Sequence, residues 1–573
     1  MKIKHLFGLA VIAAMTASCS SNEDLGTAGP GTGTNETGVG YATFTINLPS
    51  VSGTRTADAG GAEMDEGTAK EYAVKSATAL IFQKYGSDEG SCKFVESVDL
   101  PTAAADWTDD TTVGITTTKK LVAKLTNVDT KNQYYVLVLL NNNNKNGGVK
   151  VALPTVGQSY NEWNSQILTP SVDDLAADND FYMANAPLKG TASPTTLVTI
   201  DKENIYSSKE KAEAGTSAAT VYVERGVAKM SVTDPATKTV IDKATNNPTK
   251  STVEFNNWAL DITNKKTYAV HNIDGLSTDF PDIWTTPRFI GTNSRVYWGK
   301  DPNYNLDHLN TGKEADREAE FNFIKATRGI NKTFTESAYC LENTFNLANM
   351  YQGQTTRVIF KATYTPKDGA GNSLAEQDGT FYTIGNMTNI LNEAALKTAV
   401  NTAATSVLPG CTVDYTNLKT EGSHVITLAD IKDSTGTTLV ADKVYSGKTG
   451  TKIVKEINDK LGLIDGAGHA EAMVGINTYA QGVTYYIARV KHFGSLTPWN
   501  SGESYGDNNL KYLGRYGMLR NNWYELTVGN VYGPGYPGVP PVDPNQPDDE
   551  NEKYLSVSVK ILSWAKRSDI VDL

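Results

Sequence analysis

Two stretches at opposite ends of the chain alternate strictly between apolar and polar side chains. This alternation predicts a β-strand that buries one of its faces. The apolar positions are Ala42, Phe44, Ile46 and Leu48 in the first stretch and Leu555, Val557, Val559 and Ile561 in the last. Because each stretch offers four such side chains, one strand could take the place of the other in a single groove. Full burial of each side chain would stabilise the pairing by roughly 1.5–3 kcal/mol.

A segment rich in proline and acidic residues precedes the last stretch. It contains Pro534, Pro537, Pro540, Pro541, Pro544 and Pro547, followed by Asp548, Asp549 and Glu550. We expect this proline arm to stay extended and semi-rigid and to pack against nothing. At about 3.1 Å for each of its roughly 20 residues, it would span about 60 Å. The arm would then carry the last strand to a groove away from its own domain, in another copy of the molecule.

The length and charge of the chain narrow its class. With 573 residues it is too long for a single core, so two or more domains are expected. The net charge of -12 argues against nucleic acid as a partner, because phosphate binding requires a basic face. Besides Cys19, the widely spaced Cys92, Cys340 and Cys411 predict neither a disulfide framework nor a zinc site.

The first residues predict an export signal. Two lysines precede an apolar run over residues 6–15, and small residues then lead to Cys19. This order resembles a bacterial lipoprotein signal in which Cys19 carries the lipid; the alternative is an ordinary signal peptide that happens to contain a cysteine. Glu23 and Asp24 resemble the surface-export tag of lipoproteins in the Bacteroidetes. No other stretch has the ~20 apolar residues that a membrane helix needs, so we expect a tethered or released protein.

Arg55 lies in a run of small and polar residues that follows Pro49 and is typical of a loop. An arginine in such a segment is accessible to a trypsin-like protease. The alternative is a solvated loop arginine without a role, and composition alone favours that alternative.

Strand patterns dominate the rest of the chain. Strands are predicted at 77–82, 133–140, 220–232, 356–364, 482–490 and 522–531, and a helix at 389–405. The segment 234–250, with two prolines and two asparagines, predicts a domain boundary. The sequence therefore predicts an all-β fold with minor helices, arranged as two β-sandwich-like domains joined near residue 235.

Two motifs resemble those of enzymes but lie in the wrong context. Residues 502–506 read G-x-S-x-G, but no strand precedes Ser504 and no histidine follows it, so it is not expected to be a catalytic serine. Residues 533–538 read G-x-G-x-x-G within the proline arm, where no helix is expected to face a phosphate.

Metal sites are equally poorly supported by the sequence. The histidines are isolated and are expected in loops or on the surface. Asp301, Asn303, Asn305 and Asp307 loosely resemble a calcium loop but lack its glycine and its closing glutamate, so a solvated loop is expected. We predict no catalytic residue, no metal site and no cofactor.

Five further segments run in order through both halves of the chain. They are Val223-Glu-Arg-Gly-Val-Ala-Lys229, Tyr339-Cys-Leu-Glu-Asn-Thr344, Arg357 to Pro366, Arg520-Asn-Asn-Trp-Tyr524, and the ending Leu555 to Trp564 through Leu573. Together with the lipoprotein signal and the loop arginine, they resemble the fimbrillin family of Bacteroidetes type V pili. The resemblance is greatest to the shaft subunit of the minor, Mfa-one-type fimbrium.

The resemblance implies a structural subunit of a surface fimbrium that supports adhesion and biofilm formation, and not an enzyme. The implied precursor is an outer-membrane lipoprotein that an arginine-specific protease cuts between Arg55 and Thr56. The first strand would then leave its sheet, and the last strand of a neighbouring copy, including Trp564, would fill the groove. The implied partners are further copies, anchor and tip subunits, the protease and, before cleavage, the membrane. The cleavage role thereby becomes the favoured interpretation of Arg55.

The resemblance also implies a division of the chain. Residues 1–18 form the signal peptide, and 19–55 form a propeptide that contains Cys19 and the first strand. Residues 56–233 and 234–532 form two transthyretin-like β-sandwich domains. Residues 533–553 form the linker and 554–573 the donor strand.

Two other functions compete with the fimbrial hypothesis. A lipid-anchored, glycan-binding surface protein would present exposed aromatic side chains on one platform, for which Trp284, Trp298 and Trp499 are candidates. A surface hydrolase is disfavoured because its catalytic order requires a histidine after the serine, and no histidine follows Ser504.

Overall fold

The prediction of an all-β fold with minor helices is confirmed by the structure, a computed structural model. It describes residues 33–34, 38–48, 67–102, 108–109, 117–129, 131–144, 146–189, 194–276, 296, 298–306, 314–325, 329–385, 389–463, 474–492, 512–542, 544, 547–548 and 555–563.

A ten-stranded sheet, called here the first sheet, is formed by the chain up to Arg225. Its strands are β1 (Gly40–Asn47), β2 (Ala77–Gln83), β3 (Lys93–Leu100), β4 (Thr108–Asp109), β5 (Thr117–Leu125), β6 (Tyr134–Leu140), β7 (Met183–Asn185), β8 (Val198–Ile200), β9 (Ile205–Tyr206) and β10 (Ala219–Arg225). The strand order is β3-β2-β6-β7-β10-β1-β5-β4, with β8 paired to β6 and β9 paired to β1. β1 therefore lies inside the sheet although it comes first in the sequence.

The core of the first sheet follows from its apolar runs. In β6 the residues from Val136 to Leu140 are all fully buried, as expected of an unbroken apolar strand with both faces covered. The ring of Phe82 in β2 makes edge contacts with Phe94 and Tyr160, with centroids 5.6 and 5.9 Å away. Such contacts add to the stabilisation that comes from burial alone.

The remaining strands of the larger sheets lie after Arg225. They are β11 (Ala228–Val232), β12 (Thr237–Asp242), β13 (Asn247–Asp261), β14 (Ala338–Cys340), β15 (Arg357–Thr365), β16 (Phe381–Ile384), β17 (Gly422–His424), β18 (Ile476–Tyr479), β19 (Val483–Arg489), β20 (Asn522–Val531) and β21 (Leu555–Ser563). Short two-stranded ribbons pair Ala176–Ala177 with Asp180–Phe181, Leu188–Lys189 with Pro194–Thr195, Thr263–Asn264 with Phe321–Asn322, Thr412–Val413 with Ile431–Lys432, and Val444–Tyr445 with Lys448–Thr449.

Eight of these strands form the second sheet, in the order β14-β11-β20-β12-β13-β15-β19, with β21 also paired to β20. Strand β11 pairs in parallel with β20, from Lys229 opposite Trp523 to Val232 opposite Leu526. Residues 228–232, which the sequence division assigns to the N-terminal domain, thus pair within the second sheet. The exact boundary between the two domains stays a prediction.

A third hydrophobic core lies within the stretch between β15 and β19, and the sequence analysis did not anticipate it. Strands β16, β18 and β17 form a small sheet in that order, accompanied by two longer helices. Its buried side chains run from Tyr382 to Ile476 and form a cluster of their own. This stretch encloses a core of its own because each of the two helices buries one apolar face in it.

The helices of the described residues are α1 (Ala69–Tyr72), α2 (Tyr160–Asn164), α3 (Val172–Leu175), α4 (Lys209–Ala214), α5 (Glu314–Glu320), α6 (Glu393–Val407) and α7 (Gly450–Leu461). Helix α6 begins where the side chain of Asn392 accepts a hydrogen bond from the Ala395 N–H. Helix α7 ends at Gly462, whose φ of 67° lies in the left-handed region that glycine adopts readily. Among the described residues, no helix has the length and apolar character needed to span a membrane.

The proline arm packs against its own domain, so the prediction that it contacts nothing is wrong. The Tyr536 N–H donates to the Tyr485 carbonyl at 2.8 Å, and the Tyr485 N–H donates to the Tyr536 carbonyl at 2.9 Å. Strand β19 ends the strand order of the second sheet, and its outer backbone groups need partners. The extended arm supplies them, which composition alone could not reveal.

Candidate functional site: the first strand, the tail and the junction between the sheets

Strand β1 is enclosed on both sides by other strands. Its residues Phe44 to Asn47 pair in parallel with Ala219 to Tyr222 of β10. The same four residues pair antiparallel with Leu121 to Thr118 of β5 on the opposite side. Removing β1 would therefore leave a slot bordered by two strands, with unpaired backbone groups along both edges.

The four predicted apolar side chains, three in β1 and Leu48 directly after it, all lie in the core. Ala42, Phe44 and Ile46 are 0% exposed, and Leu48 is 2% exposed. The opposite face is also covered, which the prediction of a half-buried strand did not foresee. Thr43 is buried and donates a 2.6 Å hydrogen bond to the Ala212 carbonyl of α4. Asn47 is buried as well and accepts a 2.7 Å hydrogen bond from the Thr118 hydroxyl.

The tail strand β21 lies on the sheet of its own chain. It pairs antiparallel with β20, with Val559 opposite Leu526 and Val557 opposite Val528. Residues Trp523 to Leu526 of β20 pair with β11 as well, so β21 occupies the other side of β20. The expectation that the tail lies away from its own domain is therefore not met in the single chain.

The remaining predicted site residues lie outside the described part of the chain. These are the lipidation residue Cys19, the cleavage residues Arg55 and Thr56, and Trp564 of the tail. Their assignments stay predictions.

The segments that carried the family resemblance meet in one buried cluster between the two sheets, called here the junction cluster. Glu71 from α1 pairs with Lys229 at 2.7 Å, and the Tyr339 hydroxyl donates to the same carboxylate at 2.6 Å. The Lys229 ammonium lies 3.7 Å from the ring centroid of Trp523, within cation–π distance. Arg225 donates through Nε to the Glu71 carbonyl at 2.9 Å.

The electrostatics of the junction cluster favour the ionised pair. Burial raises the pKa of Glu71, but Lys229 and the hydrogen bonds from Tyr339 and the Thr68 N–H outweigh burial and lower that pKa below its usual value. The pKa of Tyr339 is raised by burial and by the adjacent carboxylate, so the hydroxyl stays protonated and donates a hydrogen bond to Glu71. Removing either partner of such a buried pair would leave an uncompensated buried charge and destabilise the fold.

A second set of buried charged groups lies beside the first. The Glu224 carboxylate is 2.8 Å from Nδ1 of His271, and the Glu342 carboxylate is 4.0 Å from Nε2 of the same ring. Arg520 pairs with Glu342 at 3.2 Å and donates to the Thr267 hydroxyl at 3.0 Å. These contacts bring Glu224 of β10 together with buried groups outside the strands, and among the described residues Nε2 of His271 has no hydrogen-bond partner.

The expectation that the histidines lie in loops or on the surface is wrong for two of them. His271 and His492 are both 3% exposed. His492 lies 2.8 Å from the Tyr524 hydroxyl, which in turn accepts the Leu519 N–H at 2.9 Å. A spacing pattern cannot distinguish a buried structural histidine of this kind from an exposed one.

The expectation of a solvated loop is wrong for Asp301 and Asn303, which are buried, whereas Asn305 is exposed and Asp307 lies outside the described residues. The Asp301 carboxylate accepts the N–H groups of Asn303 and Thr344, both at 2.5 Å. Burial raises the pKa of Asp301 to about 8, against the lowering effect of these donors. Across the described ranges no group of three or more acidic, histidine or cysteine side chains could hold a metal ion.

The aromatic platform required for glycan binding gains no support from the described residues. Trp298 is fully buried, with its indole N–H 3.4 Å from the Tyr304 hydroxyl. Trp284 and Trp499 fall outside the described residues. Cys92, Cys340 and Cys411 are buried free thiols, in line with small core residues.

Sequence reasoning missed the role of Glu71. The signal available in the sequence was the order Thr68-x-x-Glu71, which is typical of a helix start, and the Thr68 N–H does donate to Glu71 at 2.7 Å. That pattern predicts the cap but not the second use of the carboxylate as the partner of Lys229.

Residues 477–569 match the family model of the C-terminal part of fimbrillin, described as the major fimbrial subunit protein type IV. The matched stretch contains β19, β20, the proline arm and β21. The predicted resemblance to fimbrillin is confirmed by this match, and the match supports a fimbrial structural subunit. Fimbrillins are structural subunits of a cell-surface fimbrium, so the prediction that the chain is not an enzyme is also confirmed.

Three solved structures are similar to this chain. A candidate cell adhesion protein from Parabacteroides distasonis has a TM-score of 0.36 at 10% identity, covering 92% of this chain and 98% of its own. A fimbrial assembly protein from the same organism has a TM-score of 0.26 at 12% identity, covering 56% and 81%. The tip fimbrial protein Mfa3 from Porphyromonas gingivalis, with a C-terminal truncation, has a TM-score of 0.31 at 10% identity, covering 91% and 100%. No curated protein matches the chain.

Proposed function

We propose that this subunit builds a surface fimbrium by exchanging strands between copies. The precursor is exported as a lipoprotein held at the outer membrane through Cys19, and an arginine-specific protease cuts it between Arg55 and Thr56. Strand β1 then leaves the first sheet, and the last strand of a neighbouring copy, beginning at Leu555, fills the slot. Repetition of this step gives a head-to-tail filament.

The observation that carries the proposal is the position of β1. It is the first described strand, yet it pairs on both sides and, together with Leu48, buries four apolar side chains in the core of the first sheet. Once the chain is cut at Arg55, β1 can be withdrawn without threading any other segment. The slot that it leaves has both unpaired backbone edges and an apolar floor, which are the two features that an added strand recognises.

The pairing of the tail supports the direction of the exchange. Within the described part of the single chain β21 has one hydrogen-bonded neighbour, β20, whereas the slot of β1 offers β5 on one side and β10 on the other. A strand that moves from an outer position to an enclosed one gains a second ladder of backbone hydrogen bonds. Each such bond contributes about 0.5–1.5 kcal/mol net, so the move is favourable once the slot is empty.

Cleavage at Arg55 explains why exchange would wait for a protease. While β1 is covalently joined to its domain, its effective concentration at the slot exceeds that of any neighbour's tail. Arg55 follows Leu48 by seven positions (55 − 48), so cutting there separates β1 from the sheet that it completes. A cut strand that dissociates is diluted away, and the competing tail remains tethered to its own subunit.

The proposed partners follow from this scheme. Further copies of the chain form the shaft, while anchor and tip subunits end it, and the finished fimbrium supports adhesion and biofilm formation. The protease and the membrane lipid act only on the precursor.

The test uses purified full-length precursor cut with trypsin. The wild-type chain is expected to lose the segment before Thr56 and to form ladders of SDS-resistant oligomers. An Arg55→Gln variant should stay uncut at this position and monomeric. A variant truncated after Glu552, which lacks the whole tail strand, should be cut normally and form no ladder.

Two results would contradict the proposal. Strand exchange would be excluded if the wild-type protein is cut at Arg55, keeps its tail and still stays monomeric. Ladders formed by the truncated variant at the wild-type rate would show that the tail is not the strand that fills the slot.

A further inference from the structure

The proline arm is attached to its own domain at three successive points. The first lies at its start, where the hydroxyl groups of Tyr486 and Tyr479 donate to the carbonyls of Gly533 and Gly535 at 2.8 and 3.0 Å. Tyr536 then makes the paired backbone hydrogen bonds to β19 described above. The beginning of the arm is therefore an extension of the second sheet and not a free linker.

The second attachment is made by a buried ion pair. Arg357 of β15 pairs through Nε with Asp261 at 2.8 Å, and its Nη2 donates to the Pro540 carbonyl at 2.7 Å. Arg357 and Asp261 are 2% and 1% exposed. Because proline lacks an N–H, a carbonyl is the one backbone group that Pro540 can offer, and a buried guanidinium is a strong donor to it.

The third attachment fixes the end of the arm. Asp548 is 0% exposed, its N–H donates to the Met350 carbonyl at 3.2 Å, and its carboxylate accepts the Thr355 hydroxyl at 3.3 Å. The Gln352 side chain donates to the Pro547 carbonyl at 3.2 Å. At Gly353 an added Cβ would lie 3.0 Å from Pro544, so the arm and the loop beneath it are in close contact.

We infer that the tail pivots at Asp548 during assembly, so the slot of the accepting copy must open close to the face of the subunit that holds this residue. The inference rests on the proposed strand exchange and specifies the geometry of its partner, a second copy of this chain. Residues 549–554 are the only link between Asp548 and β21. The seven steps from residue 548 to 555 (555 − 548) span at most about 25 Å, compared with about 60 Å for a free arm.

This reach restricts how two subunits meet. An accepting slot farther than about 25 Å from Asp548 cannot receive the strand unless the buried contacts of the arm break first. The arm therefore acts as a spacer of fixed length that belongs to the donating subunit. The arm and the tail strand together set the position of the next copy.

The attachment is tested first on the uncut precursor, without reference to assembly. Hydrogen exchange followed by mass spectrometry should show strong protection of the Tyr536 and Asp548 amides. Coil-like exchange at both amides would overturn the inference.

The reach is tested by changing the length of the link. Deleting residues 551–553 leaves four steps, or about 14 Å, for a tail that pivots at Asp548, and the yield of ladders should fall by about tenfold or more. A control variant replaces the same three residues by Gly-Ser-Gly at unchanged length and should assemble as the wild type does. Adding Asp548→Ala and Gln352→Ala to the deletion removes both side-chain hydrogen bonds at the end of the arm, to Thr355 and to Pro547, and should raise the yield of ladders.

Each outcome decides the inference. Wild-type yields from the deletion variant would show that the arm moves as a free linker and would overturn the pivot. Failure of Asp548→Ala and Gln352→Ala together to raise the yield of the deletion variant would overturn Asp548 as the fixed point. Absence of ladders from the wild-type chain itself would refute the strand exchange and the reach limit together, while hydrogen exchange would still report separately on the attached arm.

Discussion

Phe44 offers a test that separates a discarded strand from a retained one. In the precursor its ring is fully buried in the core of the first sheet. Under strand exchange, the mature filament contains no residue before Thr56. The substitution Phe44→Ala should therefore weaken the precursor and leave the filament unchanged, a combination that no ordinary core mutation produces.

The expected magnitude follows from the burial of the side chain. Replacing a fully buried phenylalanine by alanine costs about 3–5 kcal/mol, through lost transfer energy and the cavity that remains. The urea midpoint of the precursor should fall accordingly. After cleavage, β1 is held only by non-covalent contacts, so its release and the onset of ladder formation should accelerate by up to roughly 100- to 4000-fold, the factor that corresponds to about 3–5 kcal/mol.

Phe82→Ala is the matched control. Phe82 is also fully buried in the same cluster, but it belongs to β2, which remains in the mature subunit. Precursors and purified ladders of wild type, Phe44→Ala and Phe82→Ala should be compared by urea titration of tryptophan fluorescence and by the survival of the ladders. Phe82→Ala should weaken both forms, whereas Phe44→Ala should weaken only the precursor. Filaments of Phe44→Ala that dissociate as readily as those of Phe82→Ala would show that β1 stays in the fibre, and the reasoning would be refuted.

Three further predictions concern the stability of the subunit. Glu71→Gln leaves the buried Lys229 without its counter-charge and should lower the free energy of unfolding in urea by about 3–5 kcal/mol. The control Lys70→Gln breaks an exposed ion pair and should leave the urea midpoint unchanged. Equal effects of the two substitutions would contradict a special role of the junction cluster. Because the pKa of Asp301 is raised to about 8, the folded protein holds this proton more tightly than the unfolded chain, so the stabilisation is present at low pH and is lost as the pH rises through about 8. The difference in Tm between wild type and Asp301→Asn should therefore shrink from about pH 5 to pH 8, and a constant difference would exclude a proton on the carboxyl. Gly535→Ala places a Cβ 2.6 Å from the Tyr485 carbonyl at a residue with a left-handed φ. It should therefore lower Tm more than Gly447→Ala, where φ is also left-handed but the space around the Cβ is open. Equal losses of Tm would show that the arm shifts away from β19 without cost.

Local strand signals were readable from the sequence because they depend on near neighbours. The predicted strands at 77–82 and 133–140 correspond to β2 and β6, and the predicted helix at 389–405 corresponds to α6 within a few residues. Alternation and unbroken apolar runs reflect the pleat of a strand, which has the same period whatever the strand pairs with. Helix α7 was missed because its buried apolar side chains are few, Ile453, Ile457 and Leu461, and lie in a polar context.

The contacts of the polar groups were not readable. Lys229, Glu71 and Tyr339 are far apart in the chain, and an isolated charged residue in a sequence is normally taken as exposed. Their burial depends on all three arriving at one place, where each compensates the desolvation of the others. The proline arm was misjudged for the same reason: its composition favours an extended chain, but the open edge of β19 and the buried Arg357 determine what that chain contacts.

The two strands with four alternating apolar positions, at 42–48 and 555–561, follow from the sequence alone, since this pattern fixes the faces of a strand without any partner. Their neighbours follow only from the folded chain: the first strand is enclosed between β5 and β10, the last lies beside β20, and the arm between β20 and the tail is attached as far as Asp548. The physical reason is that the faces of a strand are set by its own pleat, whereas its neighbours are set by hydrogen bonds and burial among residues that are distant in the chain.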